Sequence, residues 1–460
     1  MDIGFYESQL IWLSIGCLVA IIADWRRRRR LVGEGTALAT SYLVAYAIAM
    51  GADWLQGPYL YSLYRDQYAL PPASVALLFL TGFVSAGLAA PFVGVWADQH
   101  GRKRLCLVFC ATYAAACACI LVPSLPVLFV GRILGGVSTS ILFSAFESWL
   151  VSAAHALDLP QSDLSAIMGR ATLVNGLIAA AAGVFSNQLV AVTSSFASPF
   201  VASGAMLVLA WAVIRATWTE NYGSVSGESE KGSDVGGQLE RLKTALRIVY
   251  SDTRLLVLGL TQTCFEGSMY LFVFLWVPSL QAVAPTTAGA LPLGYIFSAF
   301  MFSMILGSIL YTTLLSSLSS AETSPLLLLR HAQLSTALSL LAALALRIAS
   351  SSPAPYARFY AFCVFELAVG AYFPTQGTLR GALVPEASRA ALGALFRAPL
   401  NLVVVGGLLV LGGGIESEGG GGDAVLGACV GMLALAAVLT WGVLVRRAQR
   451  GLVASGSYEL

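Results

Sequence analysis

The stretch Gly94-Val95-Trp96-Ala97-Asp98-Gln99-His100-Gly101-Arg102-Lys103-Arg104 is a short charged break between two apolar runs, 73–97 and 104–122. Each run approaches or exceeds the roughly 20 apolar residues a helix needs to cross a hydrocarbon core about 30 Å thick. The residue types inside the break suit a tight crossing between two membrane helices. Gly94 permits close helix contact, and Gly101 permits a sharp turn. Asp98 can pair with Arg102, or it can sit at a neighbouring helix N-terminus, where the dipole favours negative charge. The three consecutive basic residues, Arg102, Lys103 and Arg104, mark a cytoplasmic loop.

Working outward from this loop, the same alternation fills the chain. Of its 460 residues, 57% are hydrophobic and 11% charged, and the mean hydropathy is +0.78. A soluble domain carries roughly 25% charged residues, so a chain this apolar cannot cover its own surface in water. Ala, Leu and Gly dominate and strict apolar/polar alternation is missing, which excludes an outer-membrane barrel. The chain is therefore expected to be an all-α membrane protein. Its spans are expected at 37–64, 73–97, 104–122, 126–152, 164–192 and 197–218, then at 254–282, 291–316, 325–349, 356–383, 388–413 and 424–446.

Before these twelve lies one more apolar run, from about Leu10 to Ile22, followed by Asp24, Trp25 and the arginines Arg26 to Arg30. A secretory signal carries its positive charge ahead of the apolar core. The inverted order predicts a retained helix with its N-terminus outside and its arginines in the cytoplasm. With the next span starting in the cytoplasm, Arg102 to Arg104, the linker and Arg446, Arg447 and Arg450 all fall inside, and Glu416, Glu418 and Asp423 fall outside. Arg358, at an outer end, fits less well.

The expected organisation is an extra N-terminal helix with a basic end (1–31), a six-helix bundle (36–218), a cytoplasmic linker (219–253), a second six-helix bundle (254–446) and a cytoplasmic tail (447–460). The linker is rich in Gly, Ser and Glu and has too few apolar residues to fold alone. Leu239, Leu242, Leu246 and Val249 suggest a short amphipathic helix at its end. Six spans, a central loop and six more make the architecture of a two-repeat secondary transporter.

Ionisable groups deep in a membrane are costly and are functional candidates by default. Asp53, Glu266 and Glu366 fall near the middle of their spans. Gln262, Glu266 and Tyr270 recur every fourth residue and share a helix face; Asp53, Gln56 and Leu60, three and four apart, share another, with Tyr59 beside them. Ser140, Ser144 and Glu147 form another stripe, and Glu147 and Arg170 lie near the cytoplasmic end, as an ion pair, a gate or both. Arg170 and Asn175 in the fifth span are echoed by Arg397 and Asn401 in the eleventh. Two arginines facing one cavity would make an oxyanion site, because guanidinium offers paired donors. The competing reading is that they neutralise Glu147 and another carboxylate.

Several chemistries are excluded or unsupported. The eight cysteines all lie in apolar runs without a C-x-x-C pair, and there are only three histidines, so no metal or redox framework is readable. They read as packing residues. None of the three lysines follows a glycine, which rules out a phosphate loop for ATP. No enzyme motif and no cofactor site is present, and the net charge of +2 gives no sign of nucleic-acid binding. The lipid bilayer is the expected partner.

The 94–104 break resembles the G-x-x-x-D-x-x-G-R-[KR] loop of the major facilitator superfamily, and Arg132 and Gly136 (GRILGG) resemble its R-x-x-x-G motif. Within that superfamily the chain resembles the molybdate-anion transporter family. The resemblance is carried by Ala52-Asp53-Trp54-Leu55-Gln56-Gly57-Pro58-Tyr59-Leu60-Tyr61, by Gly131 to Ser140 and by Leu142 to Glu147. In the second half it is carried by Phe265-Glu266, Phe272 to Trp276, Phe365 to Ala368, Tyr372-Phe373-Pro374 and Phe396-Arg397. It spans nearly the whole chain and departs between the eighth and ninth spans and in the glycine-rich 412–422 loop. It implies uptake of molybdate across the plasma membrane by alternating access, and leaves open whether tungstate or sulfate competes. On this reading Arg170 and Arg397 hold the oxyanion, helped by Asn175, Asn401, Gln56 and Tyr59. Asp53, Glu147, Glu266, Glu366, Asp98, Gly101, Arg102 and Arg132 couple or gate. Three midplane carboxylates in a dianion cavity keep two alternatives open: a proton-coupled carrier of a sugar or other small organic solute, and a non-transporting transceptor or scaffold docking through its linker.

Overall fold

The computed structural model describes residues 3–25, 34–222, 243, 246–284, 291–316, 324–384, 389–414 and 421–454. The described residues are helical almost throughout and contain no strand. The helices are α1 (Ile3–Trp25), α2 (Glu34–Gln56), α3 (Pro72–His100), α4 (Arg102–Ile120), α5 (Leu125–Ala156), α6 (Gln161–Thr193) and α7 (Ser198–Thr217). They continue with α8 (Thr253–Val283), α9 (Leu293–Ser316), α10 (Ser324–Ser351), α11 (Pro355–Leu383), α12 (Arg389–Gly414) and α13 (Gly421–Leu439). Among the described residues, 11 helices are long and apolar enough to cross a membrane. The other two long ones are α11, which carries Arg358, Glu366 and Arg380, and α12, whose apolar part is the shorter Leu395–Leu411. The chain is thus a multi-pass α-helical membrane protein. The arginine run Arg26 to Arg30 and most of the linker lie outside the described residues.

The chain divides into two compact units. Unit 1 comprises Met1–Ile15, Trp25–Val225 and Ala288–Phe302, and unit 2 comprises Gly16–Asp24, Ser226–Thr287 and Ser303–Leu460. In unit 1, α5 packs against α3 and α4, α7 against α4 and α2, and α2 against α6. Its core joins Tyr42, Phe109, Phe146, Trp149 and Trp218. In unit 2, α8 is packed by α11, α12 and α13, and α10 lies against α11 and α13. α8 is buried nearly all round, from Leu255 to Leu280, as expected of a central helix.

Lipid tails are as apolar as leucine, so membrane helices associate through close packing and small residues rather than through hydrophobic burial. Unit 1 shows this where α3 meets α5. A Cβ on Gly136 would collide with the backbone of Gly82, and one on Gly82 would collide with the Arg132 guanidinium. Unit 2 repeats the device where α9 meets α11: a Cβ on Gly307 would strike Leu367 O, and one on Gly370 would strike Met304 O. In both places backbone rests on backbone.

Two details change the helical phase. After Gln56 the chain tightens into a 3-10 turn at Gly57–Tyr59 and then widens into a π turn at Leu63–Gln67. Tyr59 is therefore displaced from the simple spacing of Asp53, Gln56 and Leu60. Proline interrupts α8 at Pro278, α11 at Pro374 and α12 at Pro399, each removing a backbone donor.

Candidate transport site

Unit 1 gathers its polar side chains on the inner faces of α2, α4, α6 and α7. Tyr113 on α4 donates to Asp53 Oδ1 at 2.6 Å. Gln56 Nε2 donates to Ser203 Oγ at 2.9 Å and to Ala52 O at 3.3 Å, while Ser203 donates to Ala52 O at 2.6 Å. Trp54 Nε1 donates to Asn175 Oδ1 at 2.8 Å, and Tyr59 OH to Asn187 Oδ1 at 2.9 Å. Asp53, Gln56, Tyr59 and Asn175 thus each have a protein partner inside unit 1. Arg170 is half-buried on α6, and Glu147 is exposed on α5. Sequence reading missed Tyr113, Ser203 and Asn187, whose one signal is polarity inside otherwise apolar runs.

Arg132 has a packing role that its motif did not disclose. Its Nε donates to Leu78 O at 3.1 Å, and its guanidinium lies 5.4 Å from the centroid of the Phe79 ring, over Gly82. The absence of a side chain at Gly82 is what lets this arginine lie flat on α3.

The charged break at 94–104 forms a hydrogen-bonded corner. Gly101 has φ +103°, a conformation that favours glycine, and its N–H reaches Ala97 O. The carboxylate at the exposed N-terminus of α4 belongs to Glu220: it accepts from the backbone N–H of Lys103 at 2.8 Å and of Arg104 at 3.2 Å. A Cβ on Gly101 would meet that carboxylate. Lys103 Nζ donates to Arg215 O and Trp218 O at the end of α7, and Arg102 Nη1 donates to Ser148 O. Trp149 and Trp218 stack at 3.8 Å beneath. The side chain of Asp98 lies outside the described residues.

In unit 2, Glu266 on α8 is 8% exposed and accepts from Gln262 Nε2 at 3.3 Å. The charges of Arg380 on α11 and Arg397 on α12 both act on it. Arg397 and Asn401 are exposed, whereas Glu366 is buried. Tyr372 stacks on Phe265 at 3.7 Å. Three buried atoms here have no protein partner: Gln262 Oε1, Gln376 Oε1 and Tyr372 OH. Arg380 escaped the sequence reading because it looked like an ordinary basic residue at the end of a span.

All eight cysteines are free, and all but Cys119 are buried. Among the described residues no cluster of metal-ligating side chains occurs.

The chain resembles transporters in each comparison with known proteins. A family described as sugar transporters with 12 membrane spans matches residues 16–364. A molybdate-anion transporter of Takifugu rubripes is 36% identical over 397 residues, covering 83% of this chain and 81% of its own. One of Danio rerio is 34% identical, covering 95% of this chain and 94% of its own. Among solved structures, a mutant of the nucleoside transporter NupG matches with TM-score 0.70 at 12% identity, over 88% of this chain and 99% of its own. A mutant of the peptide transporter POT matches with TM-score 0.70 at 13% identity, over 92% and 97%. These distant neighbours share the fold. With such relatives matching across most of both chains, and a fold shared with other transporters, this polytopic helical chain is a non-enzymatic membrane transport protein and belongs to the molybdate-anion transporter family of the major facilitator superfamily.

Proposed function

We propose that this protein is a secondary transporter that takes up molybdate across the plasma membrane by alternating access. The observation that carries the reading is the relatives' shared name over 80–95% of this chain at 34–37% identity. Arginines placed in both units support it, since a tetrahedral dianion suits guanidinium donors. Arg170 in unit 1 and Arg397 in unit 2 are the proposed anion partners, and Asn401 beside Arg397 assists. Gln56, Tyr59 and Asn175 take a supporting part, because their hydrogen bonds to Ser203, Asn187 and Trp54 shape the wall around Asp53. The proposed orientation puts the N-terminus outside and the Gly101 corner and C-terminus in the cytoplasm. Tungstate and sulfate are the competitors to test.

The test is accumulation of molybdate, at submicromolar concentration with sulfate in excess, by cells expressing the chain. Saturable, sulfate-resistant uptake that Arg397→Ala and Arg170→Ala each abolish, with surface expression intact, supports the reading. A surface-expressed wild type without uptake sinks it. The second reading, a proton-coupled sugar carrier, is favoured by the matching family's description; it requires a pH-driven flux of sugar that molybdate does not affect.

A further inference from the structure

The elements of unit 2 bring two cations and one carboxylate together in a register that can be read from packing. Gly259 on α8 is covered by the Phe396 ring, and Gly267 by Leu400 and Val403. Arg397 therefore leaves α12 at the level between these two glycines, alongside Gln262 and Glu266. α11 is placed by the Tyr372 ring on Phe265 and by Gln376 Nε2, which donates to Leu258 O at 3.4 Å. Arg380, one helical turn beyond Gln376, joins the same region, and its charge acts on both Glu266 and Tyr372. Gln262 and Gln376 are 3% and 0% exposed, yet each amide has an oxygen without a partner, as does the Tyr372 hydroxyl. Leaving buried polar atoms unpaired is unfavourable, so such a cluster suits a site that receives a polar guest. Tyr372 OH supplies a donor to an oxyanion, and the two amide oxygens accept from its hydration water or its protonated form.

Among the described residues, the titratable groups that act on Glu266 or on which it acts are Arg380 and Tyr372 of α11, Arg397 of α12 and Tyr270 of α8 itself. α13 carries Asp423, which is held by Arg358. Glu366 acts on Cys363. Among the described residues, Glu266 is thus the carboxylate within electrostatic reach of both arginines.

We propose that Glu266 is the proton-coupling group of the anion site and that Arg380 is a further guanidinium of that site, beside Arg397 in unit 2. The inference rests on the molybdate reading above and extends it. The unit 2 share of the site, two guanidinium charges against an ionised carboxylate, has a net charge of +1. A proton on Glu266 raises it to +2, so protonation strengthens the hold on a dianion whatever Arg170 adds. Proton and dianion therefore bind together: each raises the affinity for the other by the same factor, as linkage requires. On the side of higher pH the Glu266 carboxyl gives up its proton to water, the carboxylate re-engages the arginines, and the oxyanion is expelled. The carboxylate that looked out of place in an anion cavity becomes the group that loads and unloads it.

The experiment uses the full chain in proteoliposomes, measuring labelled molybdate uptake and internal pH together. The wild type is expected to move protons inward with molybdate. Its KM for molybdate should rise about tenfold per pH unit in the range where Glu266 is ionised in the empty site. Glu266→Gln, which fixes the charge at +2, is expected to transport or exchange molybdate with a KM that does not change with pH and with no proton movement. Arg380→Ala should raise KM at least tenfold, and Arg380→Lys should restore part of the loss. Wild-type molybdate transport without proton movement, or proton coupling that survives in Glu266→Gln, overturns the proposal while leaving the substrate intact. If Glu266→Gln fails to fold, the wild-type proton flux and the Arg380 pair still decide. A wild type that carries no molybdate at any pH removes the substrate reading, and this proposal falls with it.

Discussion

Arg358 Nη1 lies 3.2 Å from Asp423 Oδ1, and the same nitrogen donates to Ser279 O at 3.0 Å and Ser279 Oγ at 2.8 Å. Its Nη2 donates to Ser352 O at 3.1 Å. The arginine that fitted the charge pattern poorly is therefore a buried clasp, 3% exposed, that ties α8, α11, α13 and the turn after α10 together at one end of unit 2. A cation consumed by such contacts carries no information about which side of the membrane it faces.

Arg358→Ala should destabilise the protein by about 1.5–3 kcal/mol, the range for hydrogen bonds to a charged group. Asp423→Asn should cost less, because its side chain is 41% exposed and water replaces the lost charge. Thermal unfolding in detergent checks the order. Equal effects from both variants would mean that the ion pair, and not the carbonyl contacts, holds this end.

Asp252 caps α8, accepting from Arg254 N at 2.9 Å and from the Arg254 guanidinium at 2.7–3.1 Å. The Arg254 side-chain hydrogen bonds hold the Asp252 carboxyl below the usual carboxylate range, with Arg447 adding a weaker pull. A depressed value means that the cap's contribution is fully present above the unfolded value, about 3.9, and is lost as pH falls through the folded one. The protection factors of the amides at residues 253–256 should therefore hold from neutral pH to about 4 and fall below it. Asp252→Asn should be less protected throughout, without that acid step.

Removing the Glu220 carboxylate exposes two backbone donors at the start of α4. Glu220→Ala should cost about 0.5–2 kcal/mol, as for other N-terminal caps, and Glu220→Gln, which keeps an acceptor, should cost about 0.3–1 kcal/mol. The readout is exchange at Lys103 and Arg104. Unchanged protection in the alanine variant would show that the Lys103 and Arg102 contacts alone close the turn.

Two glycines on α11 separate packing from propensity. Gly370→Ala forces a methyl against the Met304 backbone and should cost about 1–3 kcal/mol. At Gly377 a Cβ meets nothing within 4 Å, so Gly377→Ala should be neutral or stabilise the helix by about 0.5–1 kcal/mol. The monodisperse fraction after extraction and heating distinguishes them. Similar losses for both would mean that the backbone contact at Gly370 is not tight in solution.

Membrane-length apolar runs and the glycine-bounded charged loop were legible because both are local. The sharp turn expected at Gly101 is present, with φ +103°, and the described helices lie close to the apolar runs. Partners distant in sequence were not legible. Asp98 was read as a partner for Arg102 or for a neighbouring helix N-terminus, and its side chain lies outside the described residues; the carboxylate the structure displays at the start of α4 is Glu220, about 116 positions from the amides it binds. At the end of a span it had read as the start of a linker. Gln56, Tyr59 and Asn175 were read as groups open to substrate, but their spacing could not show that Ser203, Asn187 and Trp54 would take their hydrogen bonds. Arg380 was passed over for the converse reason: only the packing of α11 on α8 turns a basic residue near a helix end toward a buried carboxylate.

The Glu220 contact has a mechanical consequence. Glu220 and Asn221 stand at the doorway of the linker, and they also hold the first turn of α4 and the carbonyl of Trp149. The chain leaving unit 1 is thus tied like a drawstring to the basic turn at 102–104. A pull, a cut or a bulky attachment just beyond Asn221 would slacken or tighten that turn directly, so the linker is a handle on the bundle as well as a tether between two halves of the sequence.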